Sequence, residues 1–244
     1  MLSIAMAREK TFRFKQFQVL NDKTAMKVGT DGVLLGAWCD VSGAKRVLDV
    51  GTGCGVIALM VAQRNAESTI DAIEIDEASA QEATLNFSRS PWAERLHLVH
   101  GDFIPVETWW SGEKYDLIVS NPPFFTHGVL PPETSRMTAR HTQNLDYGQL
   151  LKVASLMLAD EGKIALITPF DNIKEIVEES VFNSLNIKRK ISVVSIAGQL
   201  PIRVLWELVK EPCAMQEEVL VIEDCPGHYS DDYVALCKDF YLKM

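Results

Sequence analysis

The sequence predicts an α/β domain built on a mostly parallel sheet with helices on both faces, and three observations carry that expectation. Short apolar runs alternate with amphipathic periods between residues 46 and 182; strands that alternate with helices make βαβ units, whose sheets are parallel and covered. A glycine-rich turn, Gly51-Thr52-Gly53-Cys54-Gly55, joins the first run to the first helical period. Three further apolar segments, 191–196, 204–209 and 219–222, follow with no long helix between them, which predicts an antiparallel finish to the sheet.

In chain order, Thr11-Phe12-Arg13-Phe14-Lys15-Gln16-Phe17 alternates with period two, so Phe12 and Phe14 share one strand face and Arg13 and Lys15 the other. Asp31 is placed to cap a short helix carrying Val33, Leu34, Leu35 and Trp38. Strands are expected at 46–49, 69–75, 96–100, 115–120 and 163–168, with helices at 56–63, 77–87, 145–158 and 171–182. A last helix is expected over 230–242. With no repeat and no low-complexity linker, residues 1–244 read as one domain: a basic arm over 1–30, a cofactor and catalytic core over 31–185, and C-terminal strands and helix over 186–244.

At 47% hydrophobic and 23% charged residues, the composition is that of a globular domain and excludes a disordered or fibrous chain. No apolar stretch is long enough for a membrane span and no secretory leader is seen, so the expectation is a cytoplasmic protein without a membrane partner. Five cysteines with no C-x-x-C pair argue against disulfides and against a metal site. The net charge of −9 disfavours nucleic acid, but residues 1–30 carry +4 and the remainder −13, so a basic arm on an acidic body can still engage RNA. The residues do not set the oligomeric state; a monomer is the expectation.

The first strand ends in Asp49 and runs through Gly51, Thr52, Gly53 and Gly55 into a helix at Val56. At that point of a doubly wound sheet lies the ligand crevice. A dinucleotide fingerprint would need glycine at position 56, and Asp49 suits a cationic ligand better than a pyrophosphate. The second strand ends at Glu74-Ile75, where a carboxylate can accept from both hydroxyls of a ribose; Asp76 is the weaker candidate. The third ends in Gly101-Asp102-Phe103, where Asp102 can accept from an adenine amino group and Phe103 can pack on the ring. In this order the three strand ends resemble the Class I S-adenosylmethionine-dependent methyltransferases. The resemblance implies a Rossmann-like fold of seven strands with an antiparallel strand near the C-terminus, and S-adenosyl-L-methionine as cofactor.

The fourth strand ends in Asn121-Pro122-Pro123-Phe124, 66 residues after Gly55. An aromatic amine is a poor nucleophile because its lone pair is delocalised into the ring. Two acceptors, the Asn121 side-chain oxygen and the Pro122 carbonyl, can hold its two hydrogens and aim the lone pair. Pro122 and Pro123 stiffen the loop and remove donors, and Phe124 can stack on an extruded base. The tetrapeptide resembles the N-P-P-[YF] signature of methyltransferases acting on amino or planar amide nitrogens, whose substrates include DNA adenine, RNA bases and protein glutamine.

About 45 residues precede the cofactor strand and about 120 follow the catalytic loop, too few for the added domains of the DNA or glutamine enzymes. The stretches 27–38, 90–95, 120–125, 139–141 and 236–242 closely resemble the bacterial YfiC-type family, which methylates N6 of the adenine next to the anticodon of a valine tRNA. That resemblance covers nearly the whole chain. It implies that Lys27, Gly29, Thr30 and Asp31 line the cofactor entrance and that the 126–141 loop faces the substrate. Phe125, Arg140 and His141 then join Phe124 as candidate substrate contacts. Trp109-Trp110 reads as packing, and the basic run 186–190 as an extension of the basic surface or a solvated face. A glutamine or DNA methyltransferase, or a donor-binding partner subunit without catalysis, remain the alternatives.

Overall fold

The computed structural model describes residues 10–24, 27–122 and 145–244. The chain opens with β1 (Thr11–Arg13) and β2 (Gln18–Leu20), an antiparallel hairpin forming its own small sheet. Phe14 and Phe17 stack at 4.5 Å between ring centroids and, with Val19, enter the main core. The described part of the basic arm is therefore docked on the domain. The Lys15 amide donates to the Phe240 carbonyl at 2.8 Å, and Phe14 forms a bridge with Tyr241, so the hairpin is tied to the 240–241 segment.

Helix α1 (Thr30–Trp38) is buried from Gly32 to Trp38. Its N-cap is Gly29 without a side-chain cap, which corrects the assignment of that task to Asp31. Asp31 lies inside the first turn and accepts instead from Arg203.

The main sheet is made by β3 (Arg46–Val50), β4 (Thr69–Glu74), β5 (Leu96–His100), β6 (Tyr115–Ser120), β7 (Leu158–Pro169), β8 (Asn186–Ile196), β9 (Arg203–Val209), β10 (Gln216–Cys225) and β11 (His228–Tyr229). Its order among the described residues is β11-β10-β8-β9-β7-β6-β3-β4-β5. It has nine strands where seven were expected, the additions being β10 and β11 at one edge. Strand β9 runs antiparallel to both β7 and β8, which it separates, and β11 pairs antiparallel with β10. The C-terminal part of the sheet is thus antiparallel as expected, except that β10 lies parallel to β8.

The connecting helices are α2 (Val56–Arg64), α3 (Glu77–Ser88), α4 (Tyr147–Met157), α5 (Ile173–Phe182) and α6 (Asp231–Cys237). The last is shorter than the 230–242 expected, and Ser230 caps it by accepting from the Tyr233 amide. Alternation along each strand sends Val47, Ile70, Ala72, Leu117, Val119, Ala165 and Ile167 to one core, shared with α1, α2 and α6. Leu48, Val50, Ile73, Ile118, Ile164 and Leu166 go to the other, under α4 and α5. Each such Val, Leu or Ile contributes about 2 kcal/mol by leaving water.

The basic run on β8 is neither a solvated face nor a free cationic surface. Lys188 and Arg189 both reach Glu207, buried on β9 with 1% exposure, and Lys190 pairs with its cross-strand partner Glu217 on β10. Burial also pushes the thiols of Cys39, Cys54 and Cys237 up to about 11, 12 and 12, so they stay protonated. Trp109 and Trp110 pack against the second core, as read from the sequence.

Candidate active site

Strand register brings the three decisive positions abreast. Val50 pairs with Ile73 on one side and Ser120 on the other, so Gly51, Glu74 and Asn121 leave the sheet side by side. Neighbouring strands are about 4.8 Å apart, which makes one contiguous crevice of the three strand ends. Main-chain and hydroxyl bonds knit them together: Gly51 and Thr52 amides donate to the Ile73 carbonyl, the Gly101 amide to Glu74, and the Ser120 hydroxyl to Val50 at 2.8 Å.

Gly51, Gly53 and Gly55 all have positive φ, at 68°, 58° and 84°. Two of them serve different ends. A Cβ on Gly51 would meet nothing within 4 Å, so its face is open for a ligand to approach the backbone. A Cβ on Gly55 would come within 2.5 Å of the Phe87 ring, so that glycine is required by the packing of α3 against the loop.

Asp49 is fully buried at the base of the loop. Its Oδ2 accepts from the Thr52 hydroxyl at 2.6 Å and the Ala58 amide at 3.1 Å, while Oδ1 has no partner among the described residues. Burial pushes the carboxyl up to about 7; the bonds from Thr52 and Ala58 oppose this, and the charge of Glu74 adds to it. An unsatisfied buried acceptor that is reluctant to ionise alone is suited to a cationic partner. Thr52, expected as a ligand contact, here shapes the loop.

Glu74 gives Oε2 to the Gly53 amide at 2.8 Å and Oε1 to the Asp76 amide at 2.9 Å. Each oxygen keeps acceptor capacity for a hydroxyl. Asp76 caps α3 through Ser79, which accounts for its side chain without a ligand. Ile75 stays 37% exposed beside Glu74. Asp102 accepts from the Ile104 amide at 3.0 Å. The ring of Phe103 is buried against Trp109, with centroids 6.0 Å apart. Ile75 is the more exposed of these two apolar side chains.

Asn121 carries the second orphan: its Oδ1 is buried with no partner among the described residues. Pro122 is buried beside it. Pro123, Phe124, Phe125, Arg140 and His141 lie outside the described residues. Of the residues expected at the cofactor entrance, Lys27 donates from Nζ to the Asp22 carbonyl at 2.7 Å, Gly29 and Thr30 are exposed, and Asp31 is held by Arg203. Arg203 was not singled out from the sequence, since 172 positions separate it from Asp31 and no local pattern links them. Glu82 and Asn86 were missed too, although polar residues on the helix face that carries Ala83 and Phe87 are a readable signal. No cluster of metal-ligating side chains and no helix able to cross a membrane occurs among the described residues.

Residues 27–186 match the family model of the methyltransferase small domain. Among curated proteins, the chain is 45% identical over 235 residues to a tRNA1(Val) (adenine(37)-N6)-methyltransferase of Bacteroides fragilis, covering 96% of this chain and 98% of that one. It is 43% identical to the protein of the same name from Aeromonas hydrophila, over 98% of this chain and 100% of the relative. Among solved structures, a predicted O-methyltransferase from Agrobacterium tumefaciens superposes with a TM-score of 0.66 at 19% identity, covering 86% of this chain and 96% of that one. A precorrin-6y C5,15-methyltransferase from Geobacter metallireducens superposes with a TM-score of 0.52 at 15% identity, covering 80% and 93%. These two fix the fold alone. The full-length likeness to the curated relatives and the match across the crevice together make this chain a member of the methyltransferase small domain family, in its tRNA1(Val) (adenine(37)-N6)-methyltransferase branch.

Proposed function

We propose that the chain methylates N6 of an adenine in tRNA, the base next to the anticodon of a valine tRNA, with S-adenosyl-L-methionine as donor. The observation that carries this reading is the buried Oδ1 of Asn121, which has no partner among the described residues and lies level with the open face of Gly51. A desolvated acceptor without a donor is costly unless something fills it, and an exocyclic amine has the hydrogens to do so. Among the described residues the crevice fits the proposed donor: a carboxylate oxygen of Asp49 without a partner, acceptor capacity on Glu74 and open space over Gly51.

When bound, the donor supplies an activated methyl group on a sulfonium, whose departure leaves a neutral thioether. The chain's own groups do the rest. Asp49 and the glycine loop hold the cationic amino-acid end, Glu74 the ribose, and Asp102 and Ile75 the base. Asn121 Oδ1 and the Pro122 carbonyl accept from the target amine, restrain it and favour a pyramidal nitrogen. Because the amine's acidity rises only as its bond to carbon forms, no strong base is needed beside it; the two acceptors can pass the proton to solvent. The substrate contacts proposed for Phe124, Phe125, Arg140 and His141 belong to this reading, as do a cytoplasmic setting and a monomeric enzyme.

Incubation with labelled donor and separate pools of tRNA, rRNA, DNA and protein tests it. The expected result is label in tRNA, recovered on digestion as N6-methyladenosine. Label confined to protein or DNA would transfer the chain to the glutamine or DNA branch of the same chemistry.

A further inference from the structure

Glu82 and Asn86 stand one turn apart on α3, with 3% and 1% exposure. A carboxylate and a carboxamide on an apolar helix face are costly to desolvate, so their partners matter. Glu82 gathers four donors from a single piece of the N-terminal segment. Its Oε1 accepts from the amides of Asp22 at 2.8 Å and Lys23 at 3.0 Å; its Oε2 accepts from the amide and the hydroxyl of Thr24, at 3.0 and 2.5 Å. Three successive N–H groups converging on one anion make a nest. Asn86 uses its whole carboxamide: Oδ1 accepts from the Leu20 amide at 2.7 Å, and Nδ2 donates to the carbonyls of Leu20 at 3.1 Å and Cys54 at 2.8 Å.

The held segment reaches the crevice. Thr24 is 2% exposed, and its methyl would lie 3.5 Å from a Cβ on Gly53, whose amide is the one bound by Glu74. Cys54, gripped by Asn86, is the next residue. Asn21 accepts from the Val28 amide and Lys27 donates to the Asp22 carbonyl, so the turn also carries the residues at the entrance. Burial acts to raise the Glu82 carboxyl, but the bonds from Thr24, Lys23 and Asp22 outweigh it and hold the group below its ordinary value.

We propose that Glu82 and Asn86 are positioning residues for the methyl donor, latching the 20–24 segment onto the Gly53–Cys54 loop so that one wall of the crevice is in place before the donor arrives. This rests on reading the glycine crevice as the S-adenosylmethionine site. Neither side chain is assigned to the donor itself; both act through Thr24 and the loop. An unlatched chain must order that segment on binding, and the ordering cost is subtracted from donor affinity.

The full-length Glu82→Gln variant tests the latch. Glutamine keeps the size but offers one acceptor oxygen, and its NH2 opposes the converging amides. Hydrogen exchange at residues 22–24 is expected to quicken, and donor Kd, measured by calorimetry without RNA, and donor KM are expected to rise about tenfold with kcat at saturating donor within about twofold. Thr24→Val is the second variant, should the first fail to fold. It keeps the methyl over Gly53, removes one of the four donors and is expected to weaken donor binding about threefold. A residue that merely stabilised the fold would lower the melting temperature and leave donor KM where it was. Unchanged donor affinity in the folded variants, with the wild type binding normally, overturns the latch alone. A wild-type chain that binds no S-adenosylmethionine overturns the reading of the crevice and the latch with it.

Discussion

Arg203 at the start of β9 holds Asp31 in the first turn of α1, with Nε to Oδ2 at 2.9 Å and both side chains less than a third exposed. The pair ties the first turn of α1 to the start of β9. Replacing Asp31 by Asn is expected to cost about 1 kcal/mol, read as a drop of about 2–4 °C in melting temperature for a chain of this size. A double-mutant cycle with Arg203→Gln should recover the coupling; additive losses in that cycle would remove the pair from the account.

On the proposed function, Asn121→Ala removes one of the two acceptors for the target amine and leaves Asp49 and Glu74 in place. The expected loss is about 10²-fold or more in kcat, with donor affinity little changed. Steady-state kinetics on tRNA, with calorimetry of the donor alone, separates the two. Undiminished turnover would take Asn121 out of the chemistry.

Asp49 gives the crevice a pH dependence with a definite sign. Its carboxyl is pushed up from 3.8 to about 7 by burial, so the free protein holds it largely neutral below neutrality. A cationic donor favours the carboxylate and must expel that proton. Donor affinity should therefore rise with pH and level off above about 7, falling by up to about tenfold per pH unit below that. For the free fold the sign is opposite: the neutral group's contribution is complete below 3.8, the value of an unperturbed carboxyl, and is lost as pH rises through about 7. Calorimetry in buffers of different ionisation enthalpy should detect the released proton at pH about 6, and Asp49→Asn should abolish the dependence. A flat profile in the wild type refutes the assignment.

Gly55→Ala combines a left-handed φ of 84° with a Cβ placed 2.5 Å from Phe87. The expected destabilisation is about 2–3 kcal/mol. Adding Phe87→Leu should return only part of it, because the backbone strain remains. Chemical denaturation measures both steps; full recovery in the double variant would show that sterics alone require the glycine.

The readable part of this sequence was its periodic and local part. The core strands, their helices and the Asp49-to-Gly55 loop all announce themselves through period, turn chemistry and spacing, and Asn121 through its place after an apolar run. What escaped depends on pairing between distant segments. The cations of 188–190 look like surface until Glu207 and Glu217 arrive on adjacent strands. The contact of Phe103 with Trp109 likewise has no signature in the sequence. Glu82 reads as one more acid on an amphipathic helix, and only the turn at 22–24 gives it a purpose.

The placing of β9 between β7 and β8 sets an order of assembly. During synthesis β8 leaves the ribosome before either of its eventual neighbours, β9 and β10, so one edge stays unpaired until residue 209 has emerged and the other until residue 225. A nascent or truncated chain ending near residue 200 would carry two open sheet edges, a template for pairing with other chains. The last fifth of the polypeptide is thus what closes the domain against aggregation.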